Sequence, residues 1–116
     1  FLSVSDTFRL AISSNGTTTT QFSHTSTFAT GQWYFAVGKF EPSTQMSVFM
    51  NGVKASTTTS IPASIFNGTA ALQIGAYNAG TQNFNGRNSL SFLCANALPD
   101  VTITGLYEQS RVLFGI

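Results

Sequence analysis

The sequence predicts an all-β fold, an antiparallel jelly-roll β-sandwich with one short helix near the C-terminus. Apolar and polar residues alternate over several short segments, Asn-Gly turn pairs occur four times, and a single late segment has helical spacing. The alternating segments recur about every ten to fifteen residues, which is typical of a sandwich. A length of 116 residues fits one domain, 1–116. Since the first residue is Phe, we expect this domain to be part of a longer polypeptide or assembly.

The first third of the chain contains two clear strand patterns and one ambiguous segment. Residues 7–13 alternate apolar and polar side chains, which predicts a half-buried strand. Alternation is weak over residues 17–31, where either two edge strands or a strand and a loop are compatible with the sequence. Residues 32–40 are apolar on both faces and begin near Trp33, which predicts a central strand covered on each side.

A β-hairpin is the strongest local prediction, over residues 45–56. An Asn-Gly pair at 51–52 separates two alternating segments, and this pair favours the positive φ values of a two-residue turn. Met46, Val48 and Met50 share one side of the outgoing strand. We therefore expect that side to face the core.

Two later strands are predicted on the same grounds. Residues 72–77 and 89–95 each place three side chains on one face, which we expect to point inward: Leu72, Ile74 and Ala76 in the first, and Leu90, Phe92 and Cys94 in the second.

Helical signals appear only in residues 98–110. Pro99 suits the start of a helix and Asp100 suits the positive end of its dipole. Gly105 costs about 1 kcal/mol relative to Ala inside a helix, so we expect only a short helix or a single turn. The segment 111–116 then predicts a final strand.

The composition argues against two classes of partner. Charged residues make up 8% of the chain and the net charge is +1, so no basic surface is available to neutralise a row of phosphates. We therefore expect no nucleic-acid partner. The apolar residues form no run near the ~20 residues that span a bilayer, and we expect no membrane partner.

Several short motifs occur in a recognisable order. They are Trp33, Asn51-Gly52, Ile74-Gly75, Phe84 with Gly86, Ala97-Leu98 and Leu106-Tyr107. In this order the chain resembles the concanavalin A-like lectin/glucanase superfamily, and within it the laminin-G-like jelly-roll domains, over about residues 30–110. The resemblance implies a sandwich that is incomplete at its front end unless upstream residues or a neighbouring chain supply strands.

The resemblance also raises the question of glycoside hydrolysis. That chemistry needs two carboxyl groups about 5 Å apart, or somewhat wider for an inverting enzyme. The four carboxylates are Asp6, Glu41, Asp100 and Glu108, and no two have the i, i+2 or i, i+4 spacing on one strand. We expect surface and capping roles for them, and therefore no enzyme.

No cofactor or metal site is predicted. His24 has no Cys or carboxylate at the spacing of zinc ligands, and the predicted rim loops lack the clustered carboxylates that calcium prefers. Cys94 is expected to behave as a small apolar residue. Trp33 is compatible with a sugar-stacking platform, although its position favours a core role.

The best candidate for recognition is the loop 76–88, which joins two predicted strands. It concentrates neutral amides, an aromatic ring and a cation, the groups that hydrogen-bond to and stack on sugars. The candidate ligand-binding residues are Tyr77, Asn78, Gln82, Asn83, Asn85 and Arg87. Asn and Gly are also ordinary turn residues, so a purely structural loop is the alternative.

Two functional hypotheses follow from these observations. The first is a non-catalytic binding or adhesion module of an extracellular or virion surface protein, recognising a glycan or a protein partner. The second is a structural virion component, such as a capsid decoration or assembly subunit, whose open edge pairs with strands of neighbouring subunits.

Overall fold

A computed structural model of the chain describes residues 7–77 and 82–116. In this part of the chain seven β-strands precede one α-helix. The strands are β1 (Thr7–Ser13), β2 (Thr19–Thr27), β3 (Ala36–Glu41), β4 (Gln45–Met50), β5 (Val53–Thr57), β6 (Ala76–Tyr77) and β7 (Gln82–Asn83), and the helix is α1 (Asp100–Phe114).

Two antiparallel sheets form the body of the fold. Strands β1 and β2 pair with each other, and β3, β4 and β5 form a three-stranded meander. The two sheets pack face to face. Their close approach is seen at Gly38 of β3, where an added Cβ would lie 3.0 Å from Leu10 Cδ1 of β1. His24 of β2 reaches across in the same way, with Nε2 3.2 Å from the Val53 carbonyl oxygen. The all-β sandwich with a C-terminal helix is therefore confirmed.

Strand β4 lies at the centre of the core. Val48 pairs with Gly38, so its side chain shares the face that meets β1, and Met46 and Met50 lie on that face as well. The predicted inward face of the hairpin is thus confirmed. Val48 and Phe49 are both buried, although they alternate. Phe49 pairs with Lys54, whose ammonium group contacts Asp100 of α1, so the helix lies on the opposite face of the sheet. Burying the side chains of Val48 and Phe49 contributes about 1.5–3 kcal/mol each.

Helix α1 is longer than the short helix or single turn that the sequence predicted, and it spans 15 residues. Its N-terminus follows Pro99, and Asp100 places an acidic group in the first turn. Its C-terminus is closed by Gly115 in the left-handed conformation, with φ of 68°. The Ile116 N–H also donates to the Arg111 carbonyl at 3.1 Å.

The predicted final strand at 111–116 is wrong, because the helix continues through Phe114. Ile103, Tyr107 and Phe114 are spaced i, i+4 and i+11, so they share one helical face. That face meets the sheet: Ile103 is fully buried, and the Tyr107 ring lies 5.8 Å from the ring of Phe35. This packing outweighs the cost of Gly105 inside the helix.

The predicted strands at 72–77 and 89–95 are largely wrong. Only Ala76–Tyr77 is a strand, and residues 89–95 have no regular structure. The side chains expected to point inward are exposed, namely Leu72, Ile74, Leu90, Phe92 and Cys94. An alternating segment becomes a strand only when a partner pairs its backbone and covers its apolar face.

Candidate functional site

The predicted recognition loop is folded as a short hairpin. Ala76 pairs with Asn83 and Tyr77 pairs with Gln82, so β6 and β7 are its two arms. Below them, the Phe84 N–H donates a hydrogen bond to the Gly75 carbonyl at 2.8 Å. The two ends of the loop are thereby held together.

The structure places three of the six predicted binding residues on the strands of this hairpin and two directly after it. Tyr77 and Gln82 contribute its paired backbone, and Asn78 lies outside the described residues. Asn83, Asn85 and Arg87 are exposed along the second arm and the residues after it. This arm therefore presents amide donors and acceptors and one guanidinium group to solvent.

An aromatic ring that the candidate set omitted supports the same arm. Phe84 is 41% exposed, and its ring lies over Gly86, where an added Cβ would approach Phe84 Cε1 to 2.5 Å. The close contact requires Gly at this position. The Phe84 and Gly86 pair was visible in the sequence, but only as part of the family resemblance.

A concave site lies at the end of the three-stranded sheet where β4 turns into β5. It is a groove of about 400 Å³, which we call the Trp33 groove. Its lining residues are Gly31, Gln32, Trp33, Asn51, Phe114, Gly115 and Ile116. The sequence favoured a core role for Trp33, but this residue precedes β3 and is only half-buried.

The aromatic wall of the Trp33 groove depends on the C-terminal end of α1. The rings of Trp33 and Phe114 have centroids 4.9 Å apart and are tilted by 48°. Sequence reasoning missed this contact because it placed Phe114 in a strand. A continuous helical pattern from Ile103 to Phe114 was the available signal.

Asn51 lines the groove and is held by two hydrogen bonds. Its side-chain Oδ1 accepts from the Phe35 N–H at 2.9 Å, and its own N–H donates to the Phe35 carbonyl at 2.9 Å. Its φ of 49° and the φ of 79° at Gly52 fit the two-residue turn that the sequence predicted.

The loop before the groove is fixed by Tyr34. The Tyr34 hydroxyl donates to Gln32 Oε1 at 3.0 Å and accepts from the Ala29 N–H at 2.9 Å. The Tyr34 ring also meets Phe28 edge to face at 4.8 Å. These contacts hold the segment that carries Trp33.

A second concave surface, of about 390 Å³, lies beside β1. It is lined by Ala11, Ile12, Ser13, Ile65, Phe66, Asn67, Gly68 and Ala70. The Phe66 N–H donates to the Ser13 carbonyl at 2.8 Å, which attaches the segment after β5 to the end of β1. Phe66 nevertheless remains 51% exposed.

The carboxylates of Asp100 and Glu41 meet a single buried lysine. Lys39 Nζ lies 2.8 Å from Asp100 Oδ1 and 3.2 Å from Glu41 Oε2, and Lys54 Nζ lies 2.7 Å from Asp100 Oδ2. The hydrogen bond from Lys39, followed by that from Lys54, lowers the pKa of Asp100. The hydrogen bond to Asp100 likewise raises the pKa of Lys39. Asp100 is therefore held in its ionised form, whereas a glycosidase acid needs a raised pKa.

His24 has a structural environment. It is 3% exposed, its Nδ1 accepts from the Ser26 N–H at 3.0 Å, and Nε2 therefore donates to the Val53 carbonyl. Within residues 7–77 and 82–116, no three His, Cys, Asp or Glu side chains are grouped closely enough to hold a metal ion. No helix in the same ranges has the length and apolar character needed to cross a bilayer.

The packed antiparallel sheets and their exposed loops define a lectin-like β-sandwich. A laminin G-type family profile, of the concanavalin A-like lectin/glucanases superfamily, matches residues 1–89. The chain therefore belongs to the concanavalin A-like lectin/glucanases superfamily, as the order of its motifs predicted.

A solved structure shares this fold. It is an S-layer domain-containing protein (residues 221–444) from Clostridium thermocellum, with a TM-score of 0.58 and 16% sequence identity. The match covers 85% of this chain and 50% of that one, so this chain spans about half the length of the solved structure. A comparison with curated proteins gave no significant match.

Proposed function

We propose that the chain is a non-catalytic binding module of an extracellular or virion surface protein, and that it recognises a glycan or a protein partner through the β6–β7 hairpin. The observation that carries this proposal is the exposure of Asn83, Asn85 and Arg87 on and directly after an arm whose backbone is hydrogen-bonded as far as Phe84. Preorganised polar groups on a loop are suited to recognition because little conformational freedom is lost on binding.

The chemistry of the hairpin favours a polar ligand. Amide side chains offer donors and an acceptor in one plane, which matches pairs of adjacent hydroxyl groups, and Arg87 adds further donors. The exposed ring of Phe84 supplies apolar surface beside them.

The ion-pair cluster supports the non-catalytic part of the proposal. Asp100 and Glu41 share the Lys39 ammonium, and the lowered pKa of Asp100 keeps a proton off the one carboxylate that both lysines contact. Asp100 is thereby unsuited to protonating a glycosidic oxygen.

A glycan array tests the hairpin directly. The wild-type chain is compared with a triple variant, Asn83→Ala, Asn85→Ala and Arg87→Ala, and with the control Gln109→Ala, an exposed polar residue of α1. We expect the wild type and the control to bind the same glycans and the triple variant to lose them. Equal binding by the triple variant would contradict a role for the hairpin.

A specific observation also favours the second candidate function, an assembly subunit. Among the described residues between 65 and 93, eight large apolar side chains are exposed: Ile65, Phe66, Leu72, Ile74, Phe84, Leu90, Phe92 and Leu93. Soluble monomers rarely expose large apolar surfaces, and such surfaces commonly mark protein contacts. Strands of a neighbouring subunit would cover them and pair with the irregular backbone of this segment.

Sedimentation at several concentrations tests the assembly hypothesis. We expect the wild type to associate, the double variant Leu72→Ser and Leu93→Ser to shift toward monomer, and Val101→Ser on the exposed side of α1 to behave as wild type. A wild-type monomer at every concentration would refute association. Hydrogen exchange distinguishes the two proposed functions. If association protects the backbone amides of the β6–β7 hairpin from exchange, the hairpin lies inside the contact between subunits, and this result would count against the binding module.

A further inference from the structure

We propose that the Trp33 groove binds the ring of a neutral sugar. This inference rests on the proposed binding function and extends it, by naming a second site and the chemical class of its ligand. The groove volume of about 400 Å³ falls within the range of small-molecule sites, ~300–1,000 Å³. It lies at one end of the β3–β5 sheet, where the segment before β3, the β4–β5 turn and the C-terminal end of α1 meet.

The wall of the groove is aromatic. The half-buried indole of Trp33 is held by the Phe114 ring at a centroid distance of 4.9 Å, and both residues line the cavity. A flat aromatic surface complements the apolar face of a pyranose ring, which carries C–H groups on one side. The contact with Phe114 fixes the indole, so its orientation is set before a ligand arrives.

Hydrogen-bond donors come from Asn51. Its Oδ1 is committed to the Phe35 N–H, which identifies the remaining atom of the amide as the NH₂ group with two donors. In the described part of the chain, the structure gives this NH₂ group no hydrogen-bond partner. A sugar hydroxyl is a suitable acceptor for it.

Acceptors come from the C-terminal end of α1. Arg111 is the last helical residue whose carbonyl accepts backbone N–H groups, from Gly115 and Ile116. The following carbonyls have no intrahelical donor, and two groove residues, Phe114 and Gly115, belong to this end. Sugar hydroxyls can donate to these oxygens.

The electrostatics of the groove select against acidic sugars. Its lining residues carry no charged side chain, and the helix end contributes partial negative charge. A carboxylate there would find no cation to compensate for lost solvation. A neutral hexose meets no such penalty.

The intrinsic fluorescence of Trp33 tests the proposal, because Trp33 is the single tryptophan of the chain. Maltose, cellobiose and lactose are titrated to about 50 mM, and glucose is compared with glucuronic acid. We expect a saturable change with at least one neutral disaccharide, with a Kd of about 1 mM given the small size of the ligand. Glucuronic acid should bind at least about tenfold more weakly than glucose.

Two variants locate the binding. Asn51→Asp keeps the acceptor for the Phe35 N–H but removes the NH₂ donors, so we expect the Kd to rise about tenfold or more. Trp33→Ala, titrated by calorimetry, should abolish binding and serves if Asn51→Asp fails to fold. Gln109→Ala, at an exposed residue of α1 that does not line the groove, should leave the Kd unchanged.

The outcomes separate this site from the hairpin. Absence of a saturable change with every neutral sugar would overturn the groove proposal. An unchanged Kd in both groove variants would also overturn it, and loss of binding only in the triple variant Asn83→Ala, Asn85→Ala and Arg87→Ala would support the hairpin instead. Array binding that survives the triple hairpin variant but disappears in Trp33→Ala would refute the hairpin and support the groove.

Discussion

Lys39 Nζ donates a hydrogen bond to Asp100 Oδ1 at 2.8 Å and thereby joins strand β3 to the first residue of α1. The two partners differ in their access to water, since the Lys39 side chain is 9% exposed and that of Asp100 is 44% exposed. Lys54 holds the other oxygen of the same carboxylate from β5. One acidic residue therefore attaches the helix to β3 and β5, the two strands that flank β4 in the three-stranded sheet.

Substitutions on the two sides of this contact should have unequal effects. Asp100→Asn leaves the buried ammonium of Lys39 with Glu41 as its remaining carboxylate and removes a charge from the positive end of the helix dipole, so we expect a loss of about 2 kcal/mol in the free energy of unfolding. Lys39→Met leaves carboxylates that water can solvate, and we expect a loss below about 1 kcal/mol. Urea denaturation measures both.

Lys54→Met provides the matched control for this comparison. Lys54 contacts the same carboxylate at 2.7 Å but is 31% exposed, so its removal should cost less than about 0.5 kcal/mol. If Lys39→Met destabilises the protein as strongly as Asp100→Asn, the proposed asymmetry between the buried and the solvated partner is wrong.

The same cluster predicts a pH dependence of stability. The pKa of Asp100 is lowered from its ordinary 3.8, so its contribution is complete above that value and is lost as the pH falls through the lowered folded pKa. The pKa of Lys39 is raised from 10.5, so its contribution is complete below that value and is lost as the pH rises through the raised folded pKa.

Thermal unfolding across the acid range measures the first of these effects. The Tm of Asp100→Asn should fall less below pH 3.8 than that of the wild type, because this variant has no carboxylate to protonate at position 100. Glu108→Gln, which removes an exposed pair with Arg111, should follow the wild-type profile. Parallel acid profiles for wild type and Asp100→Asn would contradict the assignment.

His24 links the two sheets, and its loss should weaken their contact. His24→Leu leaves the Val53 carbonyl and the Ser26 N–H without their side-chain partner, and we expect a loss of about 1–2 kcal/mol in the free energy of unfolding. Thr25→Ala on the same strand is exposed and should change stability by less than about 0.5 kcal/mol. Equal stability of His24→Leu and wild type would show that water satisfies both backbone groups.

Local patterns predicted the parts of the fold that local interactions determine. The strand 7–13 and the hairpin around 51–52 were placed correctly. Strand alternation and turn geometry each depend on residues that are close together in the sequence, so both can be recognised from a short segment. The pattern at 72–77 was the same in kind, yet most of it is not a strand in the described fold. A strand also needs a partner backbone, and alternation carries no information on whether one is present.

The two candidate sites differ in the same respect, since only one of them depends on residues that are close together in the sequence. The hairpin of β6 and β7 was predictable because its polar residues are contiguous in sequence. The Trp33 groove was not, because it depends on a contact between Trp33 and Phe114, which are far apart in the chain. A short apolar segment such as 112–114 is compatible with a strand or a helix, and the long-range contact with Trp33 decides between them.

The hairpin turn at Gly52 offers a test of how closely α1 packs on the sheet. Gly52 has a φ of 79°, and a Cβ added there would lie 2.7 Å from Tyr107 Cδ1 of α1, so Gly52→Ala combines backbone strain with a steric clash. We expect a loss of about 2–4 kcal/mol in the free energy of unfolding.

Gly31→Ala is the matched control, because Gly31 has the same φ of 79° and nothing within 4 Å of the added Cβ. It carries the strain alone and should cost about 1 kcal/mol. Urea denaturation of both variants isolates the clash as their difference, and equal losses would mean that Tyr107 moves away freely and that α1 is not held against the turn.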